Sequence, residues 1–327
     1  MQIERIINFS LDAIIAIILL FSTGILYTCA WALQKTRTNR LFLFSVLGLT
    51  LSVIGFFFYG IAIEPFSLIT TTETIDLDDF EGEESLKLIL VSDLHAGRFF
   101  NTNKIPKLVK NINDINETDY LLILGDVINQ NKNQVDDLEE LKKIDKEVYF
   151  VYGNHDYFIP SGAEPKENEK ADIVPGLEKM IQNIGANDLK NESIKLEEYD
   201  NFDVYLAGIE DVWSHRDEYE FLETLPEDDV VILMCHNPDC VINIAADKEV
   251  KKRVDLVVSG HTHGGEMRLP LIGSIAPQGL PIFLPQSYDK GYHTYEDIPL
   301  YITSGVGNVG VRMRTFNTPE IVLLTIK

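Results

Sequence analysis

The chain has 327 residues, of which 45% are hydrophobic, and its formal net charge at pH 7 is -23. The apolar fraction is high enough for a substantial core and excludes an intrinsically disordered chain. The negative charge repels nucleic acids and anionic lipid headgroups at long range, so we expect no nucleic-acid partner. A phosphate substrate must then be attracted locally, by bound cations.

Two almost continuously hydrophobic segments come first, at residues 6–33 and 41–63. Each is long enough to cross the roughly 30 Å hydrocarbon layer of a membrane, and neither has a polar face at helical spacing. We therefore predict a membrane anchor of two transmembrane helices over residues 1–63. Two buried helices of a soluble domain, or a cleavable signal peptide, are the alternatives.

The loop between these segments is basic. It carries Lys35, Arg37 and Arg40, whereas residues 41–86 contain no Lys or Arg. By the positive-inside rule this loop is cytoplasmic. We therefore expect a multi-pass protein of the cell membrane whose catalytic domain is extracytoplasmic.

Residues 64–85 are acidic and hold few large apolar residues, which predicts a linker, either a tether or an edge segment of the next domain. Short apolar runs then predict strands at residues 86–92, 120–124, 148–152, 204–207, 230–234, 256–259 and 300–303. Apolar stripes between the early strands predict helices, at Ile105–Ile112, Val135–Ile144 and Leu177–Ile184. Alternating strands and helices indicate an α/β domain over residues 86–327.

Five of the apolar runs end in residues of the kinds that bind metals. These are Asp93, His95, Asp126, Asn154, His236, His261 and His263. Open α/β sheets bind ligands outside the carboxyl ends of their strands, so five such endings predict one polynuclear site. A carboxylate such as Asp126 can bridge two cations. Oxygen and nitrogen donors without sulfur suit Mn, Fe or Zn, and we favour Mn.

The order of these blocks resembles the calcineurin-like metallophosphoesterases: Asp-x-His, Gly-Asp, Gly-Asn-His-Asp, a lone His and Gly-His-x-His. The resemblance implies a four-layer αββα sandwich with two divalent metal ions. It also implies one metal on Asp93, His95, Asp126 and His263, and a second on Asp126, Asn154, His236 and His261. His155 would then protonate the leaving group.

One branch, the membrane-anchored bacterial phosphodiesterases, shares further features. They are the run His261–Gly265, a Pro-rich stretch at residues 269–285 and a Gly-rich segment at residues 304–321. This branch includes enzymes that act on UDP-2,3-diacylglucosamine, which implies a lipid-linked phosphate substrate at a lipid bilayer. Glu266 departs from the Gln expected after Gly-Gly, and this weakens the inference of substrate.

Other residues near these motifs have two interpretations each. Asp156 either orients His155 or caps a turn, and Arg98 either contacts a phosphate oxygen or forms a surface salt bridge. Arg312 and Arg314 lie either beside the site or on a solvated strand. Residues 269–285 form either a lipid-facing wall or a hairpin packed into the sandwich.

The sequence thus predicts a membrane-anchored metal-dependent hydrolase that cleaves phosphodiester or pyrophosphate bonds by means of a metal-bridging hydroxide. The alternatives are a phosphomonoesterase or protein phosphatase, and a noncatalytic scaffold of the same fold. A scaffold predicts gaps among the ligand residues, and this chain has all seven together with His155.

Overall fold

The computed structural model describes residues 2–35, 40–77, 80, 85–97, 104–129, 135–157, 173–199, 201–275, 283–309 and 313–327. Two helices come first, α1 (Gln2–Lys35) and α2 (Arg40–Ala62), and they cover both predicted hydrophobic segments. By length and composition, both could cross a membrane. Only 11% of each candidate span is buried within the protein, whereas a core helix would be mostly buried.

The first sheet has six strands: β1 (Ile69–Ile75), β2 (Leu86–Val91), β3 (Tyr120–Leu124), β4 (Glu147–Val151), β5 (Asn187–Asp188) and β14 (Glu320–Ile326). They are arranged in the order β1-β14-β2-β3-β4-β5. Strands β2, β3 and β4 are parallel, and β14 is antiparallel to β2. Three helical elements flank this sheet: α3 (Ile105–Asn113), the 3₁₀ helix Asp136–Lys143 and α4 (Leu177–Asn183).

The second sheet also has six strands: β6 (Glu192–Glu198), β7 (Asp203–Gly208), β8 (Val230–Met234), β9 (Leu256–Ser259), β12 (Gly291–Tyr295) and β13 (Ile298–Ile302). Their order is β12-β13-β9-β8-β7-β6, with β7, β8, β9 and β13 parallel. Helices α5 (Cys240–Ala246) and α6 (Lys248–Lys251) follow β8. A separate small hairpin pairs β10 (Arg268–Leu269) with β11 (Gly273–Ser274). The remaining 3₁₀ turns that the structure describes are Glu64–Phe66, Val212–Ser214, Glu220–Thr224 and His263–Gly265.

Successive side chains of the central strands pack on opposite faces of each sheet and so form separate core layers. In β2, Leu88 and Leu90 pack between the two sheets, whereas Ile89 and Val91 pack against the helices of the first sheet. In β8, Ile232 faces the layer between the sheets, and the residues on either side of it pack against α5. Successive side chains of a strand point to opposite faces, so strands that are apolar on both faces are buried on both. The order of layers is helix, sheet, sheet, helix.

The predicted helix over Val135–Ile144 forms, but it is a 3₁₀ helix rather than an α-helix. Its apolar residues Val135, Leu138, Leu141 and Ile144 recur every three residues. A 3₁₀ helix has three residues per turn and places that spacing on one face, whereas an α-helix would spread it around the axis. Leu138 and Leu141 are accordingly buried.

Part of the predicted linker over residues 64–85 is a strand. β1 pairs in parallel with β14 along its whole length and forms one edge of the first sheet. The threonines of this stretch are β-branched and suit a half-exposed strand, which explains how a polar segment joins the sheet. Of the two interpretations of this segment, the structure places residues 69–75 at the sheet edge and within the domain.

Candidate metal centre

The seven predicted ligand residues lie together where parallel strands of the two sheets end. Asp93 and His95 follow β2, Asp126 follows β3, Asn154 follows β4, His236 follows β8, and His261 and His263 follow β9. The loops are also bonded to one another. The Asp93 N–H donates to the Gly125 carbonyl, and the Gly260 N–H donates to the His236 carbonyl.

One group of donors consists of Asp93, His95 and His263, whose potential ligand atoms lie within 4.8 Å of one another. The Nε2 atoms of His95 and His263 are 2.9 Å apart. Oδ1 of Asp93 lies 3.3 Å from Nε2 of His263. All three residues are buried.

A second group consists of Asp126, His236 and His261, again within 4.8 Å. Oδ2 of Asp126 lies 3.2 Å from Nε2 of His236 and 3.5 Å from Nε2 of His95. Nδ1 of His261 lies 3.1 Å from Oδ1 of Asn154. Asp126 therefore lies between the two groups, as a bridging carboxylate must.

Neighbouring hydrogen bonds orient these ligands. Nδ1 of His236 lies 2.7 Å from the carbonyl oxygen of Leu124 and donates to it, which directs Nε2 toward Asp126 and the second donor group. The His155 N–H donates to Oδ1 of Asp126, so Oδ2 turns toward the histidines. The His261 N–H donates to Oδ2 of Asp93 and leaves Oδ1 directed into the first group.

Five of the ligands have backbone angles in the left-handed region. The φ angles are 56° at Asp93, 43° at His95, 54° at Asp126, 69° at His261 and 52° at His263. This conformation is unfavourable for residues with a Cβ, and it concentrates at functional sites. The sharp turns direct successive side chains to one point just past the strand ends.

Close backbone approach explains two of the glycines in the motifs. A Cβ on Gly153 would lie 2.2 Å from Oδ1 of Asp126, and one on Gly260 would lie 1.9 Å from Oγ of Ser92. Any side chain at either position would displace a ligand loop. Glycine is therefore required next to Asn154 and next to His261.

Burial and mutual charge shift the pKa values strongly. Burial lowers the pKa of His236, but the carboxylates of Asp126 and Asp93 outweigh it and raise the pKa to about 10. Burial and the charge of His236 lower the pKa of His261 to about 3. Burial raises the pKa of Asp93 to about 6. Such opposed shifts within one cluster are typical of functional sites.

The donor set fits two divalent cations. Oδ1 of Asp93 is buried and accepts no hydrogen bond from any group that the structure describes. Buried carboxylate oxygens are otherwise paired, and two imidazole nitrogens 2.9 Å apart also need a shared cation or proton. With only oxygen and nitrogen donors, Mn, Fe and Zn fit better than a sulfur-preferring metal.

The sequence predicts His155 as the general acid and leaves two roles for Asp156, orienting His155 or capping a turn. The ring of His155 lies edge-on to that of His95, with centroids 4.7 Å apart, so His155 adjoins the first donor group. Asp156 instead accepts backbone N–H groups of Asp126, Val127 and Gly153. Its carboxylate holds the two ligand loops together, and this is a positioning role. Burial raises the pKa of Asp156 to about 8.

The sequence leaves two interpretations each for three arginines and for the Pro-rich segment. Arg98 and Arg312 lie outside the residues that the structure describes. Arg314 is fully buried and donates to the carbonyls of Gly307 and Ser304, so it supports the loops rather than contacting solvent. Of residues 269–285, residues 269–274 belong to the β10–β11 hairpin, whereas Leu284 is buried in the core on the outer face of the second sheet.

Two residues near the site were missed from the sequence. Trp213 lies edge-on to His261 with ring centroids 4.5 Å apart, and both side chains are partly exposed. Asp211 is buried nearby, and burial raises its pKa to about 7. Both lie in the loop after β7, which carries no ligand-type motif. A lone Trp or Asp in a loop has no distinguishing pattern in the sequence.

A family model described as calcineurin-like phosphoesterase matches residues 86–265. The metallophosphoesterase YkuE of Bacillus subtilis is 27% identical over 90% of this chain and 99% of its own length. YkoQ of the same organism is 25% identical over 76% of this chain and 87% of its own length. A transmembrane protein with metallophosphoesterase domain from Danio rerio is 27% identical over 76% of this chain and 54% of its own length.

A solved structure, the phosphopantetheinyl hydrolase PptH of Mycobacterium tuberculosis, is also similar. The match covers 67% of this chain and 90% of that chain, with a TM-score of 0.39 and 13% identity. A likeness of this size does not bear on function.

Proposed function

This chain belongs to the calcineurin-like phosphoesterase family, and from that premise we propose that it is a membrane-anchored phosphoesterase that cleaves phosphodiester or pyrophosphate bonds. Its substrate would be a phospholipid or a nucleotide-linked glycolipid of the UDP-2,3-diacylglucosamine type. The position of Asp126 between two groups of metal donors carries the proposal of dinuclear hydrolysis.

Asp93, His95, Asp126 and His263 would hold one cation, and Asp126, Asn154, His236 and His261 the other. When bound, two divalent cations, with Mn favoured, supply Lewis-acid stabilisation of phosphate oxygens and lower the pKa of water. A cationic centre would also attract a phosphate into a protein whose net charge is -23.

His155 would donate a proton to the leaving oxygen. Its Nδ1 is buried and makes no hydrogen bond with any described group. It therefore has a nitrogen available for proton transfer beside the donor groups, which is the geometry that a general acid needs. The backbone N–H of His155 is fixed on Asp126, so the imidazole keeps its place relative to the phosphate.

The lipid substrate is proposed because the anchor is fixed close to the centre. The Gly60 carbonyl, near the end of α2, accepts the Arg314 N–H at 2.9 Å. Asn317, three residues later, donates from its side chain to the His263 carbonyl at 2.6 Å. A membrane-spanning α2 would thus hold the metal ligands next to the bilayer surface. We also propose that the domain is extracytoplasmic, since the basic residues cluster where α1 ends and α2 begins.

The test is Mn-dependent hydrolysis by the detergent-solubilised full-length protein, with UDP-2,3-diacylglucosamine compared with a soluble aryl phosphodiester. We expect the glycolipid to have the higher kcat/KM, and we expect His155→Ala to lower kcat on it by at least about 100-fold. If only the aryl diester is hydrolysed, the protein is still a phosphodiesterase, but the glycolipid is not its substrate. A preference for phosphomonoesters would replace the proposal with a monoesterase.

A further inference from the structure

The β10–β11 hairpin exposes two large apolar side chains at its tip. The side chain of Leu271 is fully exposed, and that of Ile272 is 71% exposed. Leu271 also has a φ of 68°. Turn positions of this kind favour Gly or Asn, which tolerate a left-handed backbone and interact with water. An exposed, strained leucine is unfavourable in water and indicates a binding role.

The base of the hairpin is bonded to the segment that receives the end of α2. Thr315 accepts the Arg268 N–H at 2.9 Å, and its hydroxyl donates to the Arg268 carbonyl at 2.9 Å. On its other side, this segment packs on α2, because a Cβ on Gly60 would lie 2.6 Å from Cγ2 of Thr315. One strand-like segment therefore lies between the helix and the hairpin.

The joint between α2 and this segment is buried and polar. Glu64 is only 1% exposed, and its carboxylate accepts the N–H groups of Phe316 and Asn317 at 2.7 and 2.6 Å. The Phe316 ring packs against Phe56 and Tyr59 of α2 at centroid distances of 6.5 and 6.4 Å. Aromatic rings beside the end of an apolar helix are typical of the membrane interface.

The lengths allow the tip to reach the bilayer. Leu271 lies three residues after Arg268, and the turn closed by the Ile272 N–H on the Leu269 carbonyl keeps this span below the extended limit of about 10 Å. The headgroup region on each side of a bilayer is about 6 Å deep. A hairpin whose base lies at the depth of the α2 end can therefore place Leu271 at the edge of the hydrocarbon layer.

We propose that Leu271 and Ile272 insert into the bilayer interface beside α2 and fix the height of the metal centre above the membrane. This rests on the proposed membrane anchoring. The hairpin is also bonded to the metal loop, since the Arg268 guanidinium donates to the Gly264 carbonyl and Ser274 Oγ donates to the Gly265 carbonyl. Contact at the tip is thereby transmitted to the residues directly after His263.

The first test measures the depth of a nitroxide on the full chain in phosphatidylcholine nanodiscs, which carry no net charge to repel this acidic protein. Leu271→Cys is the labelling site, Tyr292→Cys on β12 is the matched control because Tyr292 is 50% exposed, and the three native cysteines are buried. Oxygen concentrates in the bilayer, whereas a water-soluble nickel chelate stays outside it. We expect the label at 271 to be relaxed more by oxygen than by the chelate, and the label at 292 to be relaxed more by the chelate.

The possible outcomes distinguish a failure of the proposed membrane anchoring from a failure of the hairpin tip to insert. A protein that fails to float with phosphatidylcholine vesicles would overturn the anchoring and the inference with it. A protein that floats, but whose label at 271 is as accessible to the nickel chelate as that at 292, overturns the inference alone. Dipolar broadening between labels at 271 would assign the tip to a second copy of the chain and also overturn it.

A second variant tests the consequence for turnover. Leu271→Asn suits the left-handed backbone, so the hairpin should fold. We expect this variant to lower hydrolysis of a vesicle-embedded phosphodiester by about tenfold, a free-energy change of about 1.4 kcal/mol, and to leave hydrolysis of a soluble aryl phosphodiester unchanged. Equal loss on both substrates would indicate a damaged site and contradict a membrane contact.

Discussion

Individual residues at the metal centre are held in conformations that the polypeptide alone disfavours. A left-handed φ costs each residue with a Cβ about 1 kcal/mol, and five ligands adopt it. The charged groups are also crowded, since Asp93 and Asp126 are buried together with three histidine ligands and lie beside the partly exposed His261. A bound cation would neutralise the carboxylates and favour the loop geometry, so metal binding and local folding are coupled.

At this scale we predict that metal binding at pH 7 releases a proton from His236. Its pKa of about 10 means that the metal-free imidazole is protonated, and Nε2 must be neutral to bind a metal. Affinity for Mn should therefore rise as the pH rises toward 10. Calorimetric titration with Mn in buffers of different ionisation enthalpy should give heats that differ in proportion to the protons released.

The control is His215→Asn, because His215 is exposed and lies outside the donor groups. This variant should keep the buffer dependence of the binding heat, whereas His236→Asn should lose it along with affinity. Identical heats in all buffers for the unmodified protein would contradict a protonated His236.

Among the elements, the joint between α2 and the residues before β14 is the most informative. Glu64 lies two residues after the end of α2, and its buried carboxylate accepts the backbone N–H groups of Phe316 and Asn317, which precede β14. β14 in turn pairs with both β1 and β2, so this joint connects the helix to the middle of the first sheet. Helix and domain are therefore fixed to each other rather than connected by a free tether.

We predict that Glu64→Ala lowers the free energy of unfolding of the detergent-solubilised protein by about 3 kcal/mol, because two buried N–H groups lose a charged acceptor. Glu73→Ala is the matched control, since Glu73 is exposed on β1 and should change stability by less than about 0.5 kcal/mol. Urea unfolding of both variants measures the difference. Equal free energies of unfolding for the two variants would show that the Glu64 carboxylate does not stabilise the protein.

For the whole molecule, the placement of charge sets the proposed orientation in the membrane. Lys35 ends α1, Arg40 begins α2 and Arg37 lies between them in the sequence, and the domain that follows contributes most of the negative charge. Positive loops stay in the cytoplasm, so the proposed two-helix anchor would place the domain on the other side. The anionic domain is repelled by anionic headgroups, which leaves an uncharged apolar contact such as the hairpin tip as the favourable approach to lipid.

Alkaline phosphatase fused after Lys327 tests this orientation, because that reporter is active only after export. We predict activity for this fusion and none for a fusion after Thr38, which lies in the basic loop before α2. A green fluorescent protein should give the opposite pattern. Phosphatase activity confined to the Thr38 fusion would place the domain in the cytoplasm.

Local sequence patterns were sufficient for seven of the strands and for choosing candidate donors, but they did not predict β6, β12 or β14. The runs at 120–124, 230–234 and 256–259 coincide with β3, β8 and β9, since strands buried on both faces are continuously apolar. The apolar residues from Val135 to Ile144 recur every three positions, and this spacing favours the observed 3₁₀ helix over an α-helix. Residues such as Asp93 and His263 are recognisable as candidate donors because α/β sheets bind ligands outside the carboxyl ends of their strands.

Only the tertiary structure decided how these pieces meet. That Asp156 supports backbone groups of two loops, that Trp213 lies beside His261, and that β1 belongs to the sheet all depend on contacts between distant segments. The same holds for the joint at Glu64, whose partners are more than 250 residues away. A sequence determines which segments are buried through short-range periodicity, whereas the partner of a particular side chain depends on how sheets and loops pack in space.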